Sequence, residues 1–106
     1  MDYHTKPTLI SKQQAINIAM NKTSCTSDMR LLGPSASLFH IKNDTVFFVN
    51  DTNMQDWYVT SHHLADTIKS TNYVWEIDWS CFNNNYSIEE KQYTRFVDAK
   101  SGVLLY

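Results

Sequence analysis

Between residues 73 and 81 the chain alternates: Trp75, Ile77, Trp79 and Cys81 fall on one parity and Val74, Glu76, Asp78 and Ser80 on the other. A period of two is that of a half-buried β-strand, so the tryptophan face predicts one wall of the core. Residues 92–97 repeat the pattern less cleanly, with Tyr93, Arg95 and Val97 on one side and Thr94 and Phe96 on the other. Tyr93 and Val97 are expected to point inward, with the aliphatic stem of Arg95 lying along the rim of the apolar surface. Residues 98–102, Asp-Ala-Lys-Ser-Gly, separate this strand from a final apolar run. A hairpin is expected there, because Asp98 can accept hydrogen bonds from turn amides and Gly102 can take a positive φ. It would return residues 103–106 antiparallel to residues 93–97. Residues 82–91, with three consecutive asparagines and then Ser87, Ile88, Glu89 and Glu90, read as a longer connection whose tip faces water.

Near the start of the chain the period changes. Ser11 can cap a helix and Gln14 can bond back to the cap, after which Ala15, Ile16, Ile18, Ala19 and Met20 supply an apolar side. The spacing predicts a helix to about residue 22, and the small side chains at Ala15 and Ala19 allow close approach to a sheet. Residues 23–37 carry turn signals, above all Gly33-Pro34. Residues 38–41 and 45–49 form an expected hairpin, residues 50–55 a turn, and Trp57-Tyr58-Val59 a strand. Leu64, Ala65 and Ile68 predict a second short helix over residues 62–70, before the final strands. The expected fold class is therefore α+β: an N-terminal helix packed on an antiparallel β-sheet, in one domain spanning residues 1–106, with residues 1–9 as an approach segment.

Composition narrows the function classes. The chain has 106 residues, 42% hydrophobic and 13% aromatic, enough for a real core. A formal charge of −2 with dispersed signs offers no basic surface for nucleic acid. No stretch approaches membrane-spanning length, and residues 1–7 lack the apolar core of a signal peptide. The protein is thus expected either to be cytosolic or to have lost a leading segment. Cys25 and Cys81 bear on that choice: they lie far enough apart in sequence to staple helix to sheet, or to remain two small buried thiols. Asn-x-Ser/Thr matches at Asn21, Asn43, Asn50 and Asn85 carry little weight in a chain this rich in Asn, Ser and Thr.

Three stretches taken together, Ser11-Lys-Gln-Gln-Ala-Ile-Asn-Ile-Ala19, Tyr73-Val-Trp-Glu-Ile-Asp78 and Phe96-Val-Asp-Ala-Lys-Ser-Gly-Val-Leu104, resemble the PepSY family of extracytoplasmic domains. Ser101 stands where the commonest form of the final hairpin has threonine, and residues 23–72 diverge. The resemblance implies a small helix on an antiparallel sheet, a location outside the cytosol or at the envelope, and a role in restraining peptidases or in envelope interactions. It implies no catalytic residues, and it gives Asp98 and Gly102 a structural place in the last turn.

Other chemistry is thinly represented. His62 and Asp66 would share a helical face, with His63 pointing elsewhere, but a zinc or nickel site would need further ligands such as His4 or His40. Glu76 and Asp78 share the non-tryptophan strand face without a cleft to define an acid–base pair, and Glu89-Glu90 reads as solvated loop charge. Ser24, Ser35 and Ser61 lie in no nucleophile-elbow pattern, and Gly33 and Gly102 make no phosphate loop. No cofactor, metal or catalytic residue is expected. The leading expectation is a non-catalytic protein- or peptide-interaction domain, with Trp57 and Tyr58 as candidate contact residues. A small-ligand carrier and a purely structural envelope module stand as alternatives.

Overall fold

The computed structural model describes residues 8–21, 25, 29–42, 45–59, 72–83 and 89–105. Within them one helix, α1 (Lys12–Met20), precedes five strands: β1 (Met29–Lys42), β2 (Thr45–Asn50), β3 (Gln55–Val59), β4 (Tyr73–Asn83) and β5 (Glu89–Asp98). The strands form one antiparallel sheet in the order β3-β2-β1-β4-β5, so β1 lies at its centre between β2 and β4. This is the expected α+β arrangement. The second expected helix, at residues 62–70, lies outside the described residues.

α1 starts where the sequence places it. The Gln14 amide donates to Ser11 Oγ at 3.1 Å and the Ser11 amide to Gln14 Oε1 at 2.8 Å, a reciprocal cap that satisfies two otherwise free amides. The helix ends at Met20, two residues short of the expected limit, with Asn21 as its C-cap. Ala15 and Ala19 are its buried residues, while Ile16, Ile18 and Met20 are half-buried and pack around the core's margin.

The core under the helix is the predicted strand face. Trp75, Ile77, Trp79 and Cys81 of β4 are buried with Leu38 of β1, Val49 of β2, and Val97 and Ala99 at the end of β5. Register explains the grouping, since Leu38 is opposite both Trp75 and Val49, and Trp75 is opposite Val97. The Trp75 indole donates to the Ile10 carbonyl at 3.2 Å, and the Ile10 amide donates to the Ala99 carbonyl at 2.8 Å, so the approach to α1 is tied to both β4 and the last turn. Tyr93 stacks on Trp79 with centroids 5.1 Å apart, and Arg95 is half-buried opposite Ile77. A second cluster, Phe39, Ile41, Val46 and Val74, is buried on the opposite face, with Phe96 and Leu105 packed against it.

Four local expectations are corrected. Gly33-Pro34 makes no turn: it forms a bulge inside a 14-residue strand, with the β1–β4 register shifting between Leu32 and Ser35. Gly33 takes φ +101°, and a Cβ there would lie 3.2 Å from the Asp78 carbonyl, so the bulge needs glycine where the two backbones converge. The strand expected from residue 38 therefore begins at Met29. The expected 82–91 connection is also shorter, because Phe82 and Asn83 belong to β4 and Glu89 begins β5. Beyond the last turn the return is an isolated Val97–Leu104 bridge with the Leu105 amide donating to Phe96, rather than a full strand.

Cys25 and Cys81 form a disulfide, with Cα atoms 5.5 Å apart and a sequence separation of 56. Closing a loop of that length removes unfolded-state freedom equivalent to about 4 kcal/mol. Replacing both cysteines with alanine should lower unfolding stability in urea by roughly 3–4 kcal/mol. In the native chain, a thiol-blocking reagent should label neither cysteine until the protein is reduced; immediate labelling of both in intact mass would contradict the bridge.

Candidate functional site

The two sheet faces differ in what they leave exposed. On the face away from α1, antiparallel register places Trp57 opposite Phe48, Phe48 opposite Phe39 and Phe39 opposite Val74, an apolar row running from the outermost strand to the middle of the sheet. Its inner members are buried, whereas Phe48 is 41% and Trp57 57% exposed. Phe39 meets Phe48 edge-to-face, with centroids 6.0 Å apart and planes at 73°, which fixes the inner ring and leaves Trp57 as the accessible end. β3 is the outer strand here, and among the described residues no strand pairs with its far edge. Tyr58 belongs to β3 by its backbone, and its side chain lies outside the described residues.

On the same face, farther along β4, are two carboxyl groups. Thr94 Oγ1 donates to Asp78 Oδ1 at 2.6 Å. Burial pushes the Glu76 carboxyl up to about 7, and its hydrogen bond to Asp78 and the charge of Asp78 push it the same way. Glu76 thus holds its proton well above the ordinary carboxylate range.

The other polar constellation is on the helix side. Phe47, His40 and Tyr73 are register partners across β2, β1 and β4. His40 stacks on Tyr73 with centroids 4.1 Å apart, and its Nδ1–H donates to Asp56 Oδ2 at 3.0 Å. Burial first, then the negative charge of Asp56, raises the Tyr73 phenol above its ordinary value. An aspartate orienting an imidazole is half of a nucleophile-activating triad, yet among the described residues no hydroxyl or thiol is hydrogen-bonded to His40. Among the described residues there is likewise no group of three or more His, Cys, Asp or Glu side chains arranged to hold a metal. His4, His62, His63 and Asp66 lie outside the described residues. No helix among the described residues is long and apolar enough to cross a membrane, which leaves strand-built membrane structures unaddressed.

The last turn is built as its sequence reads. Asp98 Oδ1 accepts from the Lys100 amide at 2.8 Å and the Ser101 amide at 3.1 Å, and Gly102 takes φ +78° under Ile18 of the helix. Sequence reasoning missed the exposed Leu31 and Leu32, the Phe48 row and the His40–Asp56 contact. All depend on which strands become neighbours, and the one available signal was the apolar pair Leu31-Leu32 ahead of a Gly-Pro step. Comparison with known proteins finds no matching family model, no matching curated protein and no matching solved structure.

The raised Glu76 carboxyl sets a direction for stability against pH. Folded Glu76 holds its proton up to about 7, whereas an ordinary glutamate releases it near 4.5. Between those values the folded state binds more protons than the unfolded state, so stability is highest below the lower value and falls as pH rises towards the upper one. Urea midpoints measured across that window should decline with pH in the native chain. In Glu76→Gln, whose amide can still donate to Asp78, this part of the decline should vanish; an unchanged profile would show that Glu76 is not its source.

Proposed function

We propose that this domain is a non-catalytic protein- or peptide-interaction module working outside the cytosol, and that it resembles PepSY domains in restraining or regulating a peptidase. The observation that carries the reading is Trp57, 57% exposed on the outermost described strand and continuous with the exposed ring of Phe48. Exposed tryptophan beside a strand edge combines two recognition modes: backbone pairing along the edge and a large, rigid aromatic contact with little conformational entropy to lose. The extracytoplasmic setting is supported by the Cys25–Cys81 disulfide, because such bonds persist in oxidising compartments and are rare in the mesophilic cytosol. The PepSY-like first helix and last turn support the family-level part of the reading.

In this mechanism the domain is not consumed and turns nothing over. An extended partner segment lies along β3, and an apolar side chain of that segment packs on Trp57 and Phe48. A peptidase restrained in this way loses activity in proportion to occupancy and regains it when the domain dissociates.

The test is recovery of the partner from the native envelope or secretion context, followed by affinity measurements on folded variants. Trp57→Ala should weaken binding by about 2 kcal/mol, roughly thirtyfold, as expected for a tryptophan at the centre of a contact. If the partner is a peptidase, its inhibition should weaken by the same factor. Unchanged affinity in folded Trp57→Ala would remove the aromatic surface from the proposal. Multiple turnovers by the purified domain, abolished by changing one polar residue, would reject the non-catalytic reading altogether.

A further inference from the structure

β1 is much longer than its neighbour on one side. β2 pairs with it from Leu38 to Lys42, whereas β4 pairs with it from Met29 to His40. Along residues 29–37 the β1 edge facing away from β4 therefore has no partner strand among the described residues. A free edge offers alternating amide donors and carbonyl acceptors to another extended chain. Proline lacks an amide, so Pro34 and the bulge around it interrupt this edge and leave residues 29–32 as its regular part.

That part also carries side-chain features suited to a ligand. Leu31 is 47% and Leu32 61% exposed, on a strand whose later residues are core. A cavity of about 260 Å³ is lined by Arg30, Leu31, Leu32 and Phe82, and a second of about 310 Å³ opens beyond Leu32 beside Ser35 and Asp78. Arg30 is exposed and makes no ion pair with a described carboxylate.

We infer that residues 29–32 of β1 receive an extended peptide of another protein as an added strand, with an apolar side chain in the cavity beside Leu31, Leu32 and Phe82 and a carboxylate against Arg30. The inference rests on the reading of the domain as a peptide-interaction module but names a different edge from that of Trp57. Backbone pairing selects an extended polypeptide, and a lone arginine gives too little charge for nucleic acid. A second copy of the same edge does not fit: residues 29–37 contain no acid, so two such edges meeting would bring Arg30 no carboxylate. The partner's acid must come from a different sequence.

A suitable probe is a blocked heptapeptide, threonine-leucine-threonine-glutamate-threonine-valine-threonine, labelled for fluorescence anisotropy. Leucine and glutamate two residues apart fall on the same face of an extended strand. Binding should shift the backbone amide resonances of residues 29–32. Leu32→Asp, at an exposed position that does not threaten folding, should weaken binding about tenfold or more, because it places a charge in the apolar contact. Arg30→Glu should weaken it about three- to fivefold, and a peptide with lysine in place of glutamate should restore most of that loss in this variant. Trp57→Ala should leave binding unchanged. No binding up to millimolar peptide overturns the inference. So does binding that survives Leu32→Asp and is lost in Trp57→Ala, which would favour the β3 edge instead. Binding at residues 29–32 by a domain that fails to restrain any recovered peptidase would keep this inference and count against the peptidase reading alone.

Discussion

The buried side of α1 consists of two alanines, and that smallness lets the helix backbone come down onto the rings of β4. Bulkier residues at Ala15 or Ala19 would lift the helix from Trp75 and Ile77, and an overpacked core of this kind commonly costs about 1–3 kcal/mol. The same seating sets several distant contacts. It brings the Ile10 carbonyl within reach of the Trp75 indole and places Ile18 against Gly102. Cys25, beyond the other end of the helix, reaches the last buried position of the tryptophan face at Cys81. The sheet is thus clamped to the helix at both ends, by backbone and indole hydrogen bonds at one and by a covalent bond at the other.

With one face closed in this way, differences among the remaining surfaces gain meaning. The opposite face has its own buried cluster around Phe39 and Val74, and the neighbouring carboxyls Glu76 and Asp78 sit farther along the same strand. Asp78 is held by Thr94, and Glu76 is the carboxyl that burial and its neighbour push upward. Placing the second negative charge there means charging a partly buried carboxyl beside one already ionised. The rise in Glu76 is therefore local, set by burial on one strand face and by Asp78 two residues along the same strand.

Residues with strong local signals were legible before the fold was known. The alternation in β4 named Trp75, Ile77, Trp79 and Cys81 as core; Ser11 and Gln14 marked the helix start; and Asp98 and Gly102 marked the last turn. Gly33-Pro34 misled because its strongest local meaning is a turn, while pairing with β4 on one side holds the strand straight through it and absorbs the irregularity as a bulge. The extension of β1 to Met29 was hidden for the same reason. Neither the His40–Asp56 bond nor the Phe39–Phe48–Trp57 row has any signature along the chain, since each needs β1 and β3 held two strands apart by β2. Exposure of Trp57 also depends on strand order: a tryptophan at an outer strand and one at an inner strand read alike in sequence.

The sheet is consequently stepped. Among the described residues it is five strands wide at the end near the β1–β2 connection and narrows to β1, β4 and β5 at the end near the disulfide. Among the described residues, two open edges lie on this side of β1, one formed by β3 and the other by residues 29–37 of β1 itself. They are offset by two strands, about 10 Å at ordinary strand spacing, so one straight partner strand cannot pair with both. Engagement of the two edges by a single protein therefore requires two separate segments, or a bend between them. The bulge at Gly33-Pro34 lies near the step, where it interrupts regular pairing along β1. An extended segment docked on residues 29–32 would meet that interruption before it reached β2, which keeps the two edges separate as binding surfaces.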